Sequence, residues 1–574
     1  MVGAARIVNE GWTRPLAWAM HGGPLKLGDN GTMILPPDDE DQPIEAAVAV
    51  VGAGPAGMSL ALALGRAGVS TVVIESGGER LDPWSTALSH AAAIDPPGHA
   101  RLDQSTNRRL GGSSWTWGGR CVDFEPLDFE RPHAEAPGWP ISHAEAIAEA
   151  GEAAVFFGIG APRFDAPFAW TRPGDSLTAR LERWCADPRL ARARAADLRA
   201  SPARFHTGLT CTGVALSADG GEVTGLRVMT CSGKARQVKA RHYVLALGGI
   251  ETTRLLLASN DVAPAGIGNG SGWVGRGYMG HLQGHVADIV LDGLGEMDVD
   301  YVRDGAAYAR PRLTLTPETL REHGLLNISF LADNPLLGDW RHRSSALSAA
   351  ALALGTPGVG RRLVPGPIRD ILLGGPLTRD GARRHLGNIA ADPLGAVGFA
   401  AGYLASRLAK PRPPGMFVRN PARRYALRYY AEHSPIRASQ VRLSGERDAL
   451  GTPRVIVDKR VADLDVESVL AAHDLFDAAL RRRGLAALEF LSPSRAERSA
   501  VVAEGAADGF HQIGLARMGD DPASSVVDRN CRVHGIGNLH LAGSAVFPTS
   551  GQANPTFMIV CLALRLAKRL AAEA

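Results

Sequence analysis

The most regular hydrophobic pattern begins at residues 46–51, a short apolar run with β-branched members that predicts a buried parallel strand. A glycine-rich turn follows and contains Gly52, Gly54 and Gly57, and residues 58–67 then have a helical pattern. A second apolar run ends at Glu75. This order of strand, glycine turn, helix and strand predicts a βαβ unit that binds a dinucleotide.

Each residue type in this unit has a physical role. Gly52 permits the tight turn, Gly54 lets the backbone approach a pyrophosphate, and Gly57 lets the helix lie close to the strand. The free N–H groups at the helix N-terminus attract phosphates. Glu75 is placed to bind ribose hydroxyls, and an acid there disfavours the 2′-phosphate of NADP. The unit alone does not separate FAD from NAD.

A second glycine-rich loop, residues 108–120, contains Gly111, Gly112, Ser113, Trp117 and Gly118. One interpretation is a flexible loop with two exposed tryptophans; the other is a second backbone cradle for a long cofactor. Further along, residues 208–230 predict a hairpin, and the strand at 243–247 runs into another Gly-Gly turn. Nucleotide-contacting elements that recur along the chain favour FAD over NAD.

Later periodicity predicts strands within 437–457 and helices over 461–483 and 557–570. Asn554 has the residue type preferred at a helix N-cap, and Pro555 the type preferred in the first turn. If Asn554 lies in the active site, the positive end of that last helix would stabilise an anionic reduced flavin.

Composition sets broad limits. A chain of 574 residues is long enough for two domains, and its net charge of +3 gives no reason to expect nucleic-acid binding. None of the six cysteines forms a C-x-x-C pair, so we expect no metal site and a reducing compartment. We recognise no signal peptide and no apolar run of membrane-spanning length. These observations predict a cytoplasmic protein.

Residues 335–424 differ from the rest. They hold 14 Lys or Arg, four Asp and no Glu, a net charge of +10 against +3 for the whole chain. One interpretation is an amphipathic helical lid or a dimer surface with a solvated basic face. The other is attachment to an anionic membrane surface or capture of an acidic substrate.

The C-terminal part contains His511-Gln-Ile-Gly514 and, further on, Asn554. Oxidation of an alcohol removes a hydride from carbon and a proton from oxygen, and histidine suits the role of base because its ordinary pKa lies near neutral pH. Taken alone, His511 could equally be a satisfied core histidine. His534 and His540 are weaker candidates.

The chain resembles the glucose–methanol–choline (GMC) oxidoreductase family of flavoproteins. The blocks that carry the resemblance are the Gly52 turn with Glu75, the Gly111 loop, and residues 138–142, 247–257, 274–281 and 525–564. The resemblance implies FAD, oxidation of a CH–OH group, His511 as the base and Asn554 as the contact to the substrate oxygen. Leu515 stands where the family has Thr, which we expect to reshape the pocket without removing the base.

The second loop and residues 138–142 are more similar to the branch that contains pyranose and C-glycoside oxidases. Some of its members attach FAD through a histidine in this loop; Thr116 stands just before Trp117 here, so we expect non-covalent FAD. The implied cofactor-binding residues are those of both glycine turns, with Glu75, together with Val214, Gly543, Ser544, Pro555 and Thr556.

The implied fold is α/β: a Rossmann-like FAD-binding domain with a discontinuous α+β substrate-binding domain whose sheet covers the flavin. The expected boundaries are 1–45 for an N-terminal extension; 46–130, 206–281 and 511–574 for the FAD-binding domain; and 131–205 and 282–510, including 335–424, for the substrate-binding domain.

A sugar or glycoside is the first expected substrate, and an aromatic or lipophilic alcohol is the alternative. The electron acceptor is O2 or a separate redox partner. A lyase or photoenzyme that uses FAD without net redox, and an inert binding protein, are alternatives from other classes; the His511–Asn554 pair argues against the last.

Overall fold

The computed structural model describes residues 34–35, 42–130, 138–165, 170–172, 174–292, 299–356, 358–360, 369, 372–409 and 412–573. Most of the expected extension at 1–45 and parts of the basic segment 335–424 lie outside the described residues. The strands are β1 (Ile34–Leu35), β2 (Ile44–Val51), β3 (Thr71–Glu75), β4 (Ala93–Asp95), β5 (Arg120–Cys121), β6 (Leu177–Trp184), β7 (Arg204–Thr207), β8 (Thr210–Leu216), β9 (Val223–Met229), β10 (Ala235–Leu245), β11 (Leu282–Leu291), β12 (Val302–Asp304), β13 (Ala307–Leu315), β14 (Ile328–Asp333), β15 (Arg424–Ala431), β16 (Gln440–Arg447), β17 (Pro453–Asp458), β18 (Ala486–Phe490) and β19 (Leu539–Leu541).

The described helices follow the same chain order. They are α1 (Pro55–Arg66), α2 (Pro83–Ala87), α3 (Leu102–Ser105), α4 (Pro126–Glu130), α5 (His143–Ala146), α6 (Ala150–Phe157), α7 (Leu190–Ala193), α8 (Ala195–Ala200), α9 (Gly249–Ala258), α10 (Pro317–Glu322), α11 (Ser345–Gly355), α12 (Arg379–Ala391), α13 (Pro393–Leu408), α14 (Asp463–Arg482), α15 (Arg495–Gly505) and α16 (Thr556–Glu573). No described helix is long and apolar enough to cross a membrane.

The first sheet is the Rossmann-like unit that the glycine turn predicts. Its order is β1-β7-β3-β2-β10-β9-β8, with β19 paired to β10. Strands β1, β7, β3, β2, β10 and β19 are parallel, whereas β8 and β9 form the predicted antiparallel hairpin. Strand β2 and helices α1 and α16 contribute to one apolar core, and the two helices pack against each other. Burial in this core explains why the sequence of β2 is apolar. The carboxyl ends of β2 and β3 therefore meet at one edge, beside the glycine turn.

The second sheet is antiparallel and has the order β18-β11-β15-β14-β13-β6-β5, with β12 paired to β13. Period-two alternation gives it two different faces. One face buries Phe330, Leu427 and Leu313 in a core that includes Phe476 of α14 and Val502 of α15. The opposite face carries mainly polar and charged side chains. This sheet and the first one confirm the α/β class with a Rossmann-like domain and a second α+β part.

The start of the last helix is one small difference from the sequence-based prediction. Helix α16 begins at Thr556, and the carbonyl oxygen of Pro555 accepts a hydrogen bond from the amide of Ile559, 2.9 Å away. The Asn554 amide group instead lies 3.1 Å from His511 Nε2. The assignment of Asn554 as the N-cap was therefore wrong by about one residue, because its side chain contacts His511.

Candidate active site

A long cavity runs along the carboxyl edge of the first sheet. Its empty volume is about 1380 Å³, including open solvent at its mouth. It extends from the glycine turn to His511. The predicted cofactor-binding residues that line it are Gly52, Gly54, Glu75, Gly112, Ser113, Gly543, Ser544, Pro555 and Thr556.

Five predicted cofactor-binding residues lie outside this lining: Gly57, Gly111, Trp117, Gly118 and Val214. Neither tryptophan of the second loop is exposed. The Trp117 indole N–H donates to the Pro188 carbonyl oxygen at 2.6 Å, and its ring packs against Phe157 at 5.7 Å. Trp117 therefore anchors the loop, and Gly112 and Ser113 are the part of it that reaches the cavity.

The two glycine loops lie against each other. A Cβ on Gly112 would stand 2.8 Å from the Cα of Gly54, so no larger residue fits there. A Cβ on Gly54 would meet nothing within 4 Å because that side faces the cavity. A Cβ on Gly57 would overlap the carbonyl oxygen of Gly52. Gly57 therefore allows α1 to pack closely on the turn, whereas Gly54 leaves space in the cavity beside it.

Glu75 is held at the end of β3 by backbone amides. Its carboxylate accepts hydrogen bonds from Ala53 N at 2.9 Å and from Gly77 N at 3.0 Å. Burial raises its pKa, and the hydrogen bond from Gly77 is the largest opposing contribution. The carboxylate is therefore fixed in position at the cavity wall, where a ribose hydroxyl can donate to it.

His511 lines the cavity, and Asn554 lies next to it. His511 Nε2 lies 3.1 Å from Asn554 Nδ2. On the other side of the ring, His511 Nδ1 lies 2.9 Å from Asp508 Oδ2 and 2.9 Å from His281 Nδ1. The His511 side chain is 16% exposed, whereas that of Asp508 is 0% exposed. His511 therefore lies between the buried Asp508 side chain and the cavity.

The surrounding charges and burial set the protonation states of Asp508 and His281. Burial opposes ionisation of Asp508, but His511 first and then Lys459 hold its pKa far below the ordinary value. Burial, with His511 as the next contribution, lowers the pKa of His281 well below its ordinary value. Asp508 is therefore a carboxylate and His281 is neutral near pH 7.

These charges select one tautomer of His511. A carboxylate beside Nδ1 favours a proton on that nitrogen, and Asn554 Nδ2 can donate only to an unprotonated Nε2. Asp508 is itself held by Phe510 N, which donates to Oδ1 at 2.9 Å. The ring thus presents a lone pair on Nε2, as a general base requires.

Chain geometry explains how these residues meet. Asp508 and His511 follow α15 in one short loop, and an isolated β-bridge joins Ile513 to Met279, two residues before His281. Sequence reasoning missed Asp508 and His281 as site residues. The spacing of three residues between Asp508 and His511 was a visible signal, whereas the approach of His281 depends on the bridge.

The remaining candidates have structural roles. His534 Nε2 lies 2.9 Å from Ser525 Oγ, and His540 is buried within β19. Leu515 is fully buried in an apolar cluster with Tyr278 and Ile250, and it lies outside the lining of the cavity. The expected reshaping of the pocket by Leu515 is therefore not seen at this cavity.

Comparison with known proteins identifies the family. The GMC oxidoreductase profile matches residues 435–563, and an FAD binding domain profile matches residues 45–89. Paromamine 6'-oxidase of Streptomyces fradiae is 25% identical over 92% of this chain and 91% of its own length. Residues 435–563 thus match the GMC oxidoreductase family. The chain is also 34% identical to C-glycoside 3-oxidase of Arthrobacter globiformis, over 22% of each chain.

Solved structures support the fold. An FAD-dependent oxidoreductase from Chaetomium thermophilum aligns with a TM-score of 0.50 and 15% identity, over 92% of this chain and 99% of the other. At that identity the likeness shows the fold alone. The sequence matches, not the structural likeness, make this chain an FAD-dependent oxidoreductase of CH–OH groups.

The cavity fits FAD. The open space beside Gly54 and the close contact between the loops at Gly112 suit a pyrophosphate. The fixed carboxylate of Glu75 suits a ribose. The same cavity reaches His511 without interruption, which suits a long cofactor. Thr116 Oγ1 accepts a hydrogen bond from Asn107 Nδ2 at 3.0 Å. No histidine stands at this position, in keeping with non-covalent FAD.

Proposed function

We propose that this GMC oxidoreductase oxidises a hydroxyl group of a sugar or glycoside to a carbonyl, with His511 as the base and Asn554 as the contact to the substrate oxygen. One observation carries the proposal. His511 has its Nδ1 beside a buried carboxylate at 2.9 Å, while its Nε2 is directed to Asn554 at the end of the FAD cavity.

The residues divide the reaction between them. Bound FAD supplies the acceptor for the hydride that leaves the carbon. His511 Nε2 takes the hydroxyl proton, so the alcohol loses one hydride and one proton and becomes a carbonyl. Asp508 stabilises the imidazolium that forms, as a buried carboxylate does in a triad. Asn554 Nδ2, which lies 3.1 Å from His511 Nε2, is the atom that can donate a hydrogen bond to the substrate oxygen while His511 takes the proton.

A sugar is favoured over an aromatic or lipophilic alcohol by similarity. One relative matched over most of this chain is named for oxidation of paromamine, and a shorter match is named for oxidation of a C-glycoside. Because function is decided by the site and not by the fold, the substrate class needs its own test.

The test is anaerobic. The purified flavoprotein is mixed with sugars, glycosides, aromatic alcohols and long-chain alcohols, and the flavin absorbance is followed. We expect bleaching by a sugar or glycoside, and readmission of air then separates an oxidase, which turns over, from a dehydrogenase. Bleaching by aromatic or long-chain alcohols alone would contradict the sugar assignment. A flavin that stays oxidised with every alcohol would point to non-redox use of the cofactor.

We also propose that the basic segment 335–424 contacts an anionic membrane surface. Helix α13 is apolar yet exposed, with Leu394 at 80%, Val397 at 67% and Leu408 at 82% exposure. The neighbouring α12 contributes Arg383 and Arg384. An apolar face beside basic residues suits interfacial binding. We expect flotation with vesicles that contain phosphatidylserine but not with neutral vesicles; equal behaviour, with a dimer in size-exclusion chromatography, would make α13 a homo-oligomer surface instead.

A cytoplasmic location is a further proposal. It is supported by six cysteines that are all free thiols. Fractionation of the source cells tests it: we expect the protein in the cytoplasmic fraction or on the inner membrane surface, and recovery from the periplasm or medium would refute it.

A further inference from the structure

Lys459 is a buried lysine that contacts the turn from which the base projects. It directly follows β17 and is 2% exposed. Its Nζ donates to the carbonyl oxygens of Ala506 at 2.7 Å and of Asp508 at 2.6 Å. Both carbonyl groups lie in the turn between α15 and His511. One ammonium group therefore fixes this turn to the end of β17.

The space around this ammonium group is narrow. A Cβ on Gly280 would stand 2.6 Å from Lys459 Nζ and 3.3 Å from the carbonyl oxygen of His511. Gly280 directly precedes His281, whose Nδ1 lies 2.9 Å from His511 Nδ1. The absence of a side chain at position 280 therefore leaves room for the ammonium group beside the segment that contacts the base.

The charges around Lys459 come from a small set of groups. Its own pKa is about 8, lowered by burial, so the ammonium is charged at pH 7. The other titratable groups around it and the base are Tyr278, His99, His281, His433, Asp465, Asp508 and His511. Burial lowers the pKa values of His99, His281 and His433. It raises that of Tyr278, so all four groups are uncharged near pH 7.

The two acids in this set differ in their other partners. Asp465 Oδ1 accepts hydrogen bonds from the backbone amide of Ser434 at 2.9 Å and from its hydroxyl at 2.6 Å. Asp508 Oδ1 accepts from Phe510 N at 2.9 Å, but its Oδ2 lies beside His511 Nδ1. His511 must be neutral to act as a base, so it supplies no counter-charge before the reaction. The counter-charge of Asp508 is therefore Lys459.

This charge balance decides whether His511 can accept a proton. With Lys459 charged, Asp508 can stay ionised beside a neutral His511. Without the ammonium, the pair would carry an uncompensated buried negative charge, which favours uptake of one proton. Whether that proton lies on Asp508 or on His511, the contact between Oδ2 and Nδ1 uses one hydrogen and leaves another on Nε2. The pair could then not take the substrate proton.

We propose that Lys459 is a positioning residue for the oxidation: it holds the turn that carries His511 and, as the counter-charge of Asp508, keeps His511 Nε2 free of a proton. This inference rests on the proposed function of His511 as the base. Lys459 lies outside the lining of the FAD cavity, so its effect passes through Asp508 and the turn.

The test uses the holoenzyme and two variants. Lys459→Gln removes the charge but keeps an NH2 donor for the carbonyl groups, whereas Lys459→Met removes both. The matched control is Arg183→Gln. Arg183 is also a buried cation on carbonyl groups, with its Nε 2.9 Å from the oxygen of Ile159 and Nη1 3.3 Å from that of Arg163, and it also pairs with Asp304. It lies outside the cavity lining as well.

The first readout needs no substrate. Diethyl pyrocarbonate reacts with an unprotonated imidazole nitrogen, and mass spectrometry of the peptide that contains His511 gives the extent of reaction from pH 5 to 9. An opposite charge close to an ionisable group shifts its titration by about one to three pH units. We therefore expect the midpoint of His511 modification to move to higher pH by at least about one unit in both Lys459 variants. The control should keep the wild-type midpoint.

The second readout is stopped-flow flavin reduction. At pH 6 we expect Lys459→Gln to lower the limiting rate about tenfold with little change in KM, because fewer molecules have an unprotonated base. The rates should converge toward pH 9, where Lys459 of the wild type is itself largely deprotonated. Lys459→Met should stay slower at every pH because its turn also loses its donor. If it does not fold, Lys459→Gln decides alone.

Two results would overturn the inference. One is a wild-type modification midpoint in Lys459→Gln. The other is a rate loss of the same size at every pH in that variant, which is the behaviour of a residue that only supports the fold.

The modification experiment separates this inference from the proposed function. A shifted midpoint in a flavoprotein that no alcohol reduces would refute the proposed oxidation and leave Lys459 as the group that sets the protonation of His511. Flavin reduction by an alcohol with unshifted midpoints would do the opposite.

Discussion

Asp508→Asn is the sharpest test of the base. In the wild type, Asp508 Oδ1 accepts from Phe510 N at 2.9 Å and Oδ2 faces His511 Nδ1 at 2.9 Å. An asparagine would keep its carbonyl oxygen on Phe510 N and turn its NH2 group to His511. That group donates to Nδ1 and so favours the tautomer with a proton on Nε2, which cannot act as a base.

The magnitude follows from the lost contact. A hydrogen bond to a charged group contributes about 1.5–3 kcal/mol, and each 1.36 kcal/mol changes a rate about tenfold. Since this interaction strengthens as the imidazolium forms, its loss falls on the transition state. We therefore expect the limiting rate of flavin reduction to fall roughly 10- to 150-fold, with little change in substrate KM.

The assay is stopped-flow flavin reduction at saturating substrate, with flavin content and Tm measured on the same samples. Asp288→Asn serves as control, because Asp288 is also a buried carboxylate beside a histidine, with Oδ1 2.8 Å from His285 Nε2. We expect the control to reduce its flavin at close to the wild-type rate. An Asp508→Asn enzyme that keeps its flavin and Tm and loses less than about threefold in rate would refute the assigned tautomer.

Three further predictions concern the same region and the glycine turn. Asn554→Asp should slow flavin reduction by at least about tenfold, because a second carboxylate would hold a proton on His511 Nε2; an unchanged reduction rate contradicts it. Gly57→Ala should lower Tm because the added Cβ overlaps a carbonyl oxygen. Gly54→Ala should keep the Tm of the apoprotein and weaken FAD binding, because its Cβ points into the cavity. Equal effects of the two variants in thermal melts and FAD titrations would refute these separate roles. Burial lowers the pKa of Lys459 to about 8 from 10.5. Between these pH values the unfolded chain binds a proton that the folded chain lacks, so the stability of the wild type should rise with pH relative to Lys459→Met. A Tm difference between the two proteins that stays constant from pH 7 to 10.5 would count against this prediction.

Much of the fold and half of the candidate site could be predicted from sequence. The order of strand, glycine turn and helix around Gly52 is local, because its turn geometry and apolar run lie within about thirty residues. The hairpin at 210–229 and the helix at 463–482 are local for the same reason. His511 and Asn554 were found through family motifs, which locate residue types without giving their neighbours.

The start of the last helix and the conformation of the second loop could not be predicted from local sequence. Asn554 has good N-cap chemistry, but its side chain is taken by His511, so a tertiary contact overrides the local preference. The sequence left open whether the tryptophans of the second loop are exposed, and only the approach of Pro188 and Phe157 shows that Trp117 is held.

The sequence by itself determined the class of this protein, a dinucleotide-binding α/β chain, and predicted a histidine near its C-terminal end as the base. Tertiary structure alone decided which groups surround that base and which face of the second sheet looks toward it. Arg120, Glu182, Arg312 and Tyr430 are far apart along the chain and meet only through the register of five strands. Register is set by non-local pairing and burial of the opposite face, so no local pattern of residues contains it.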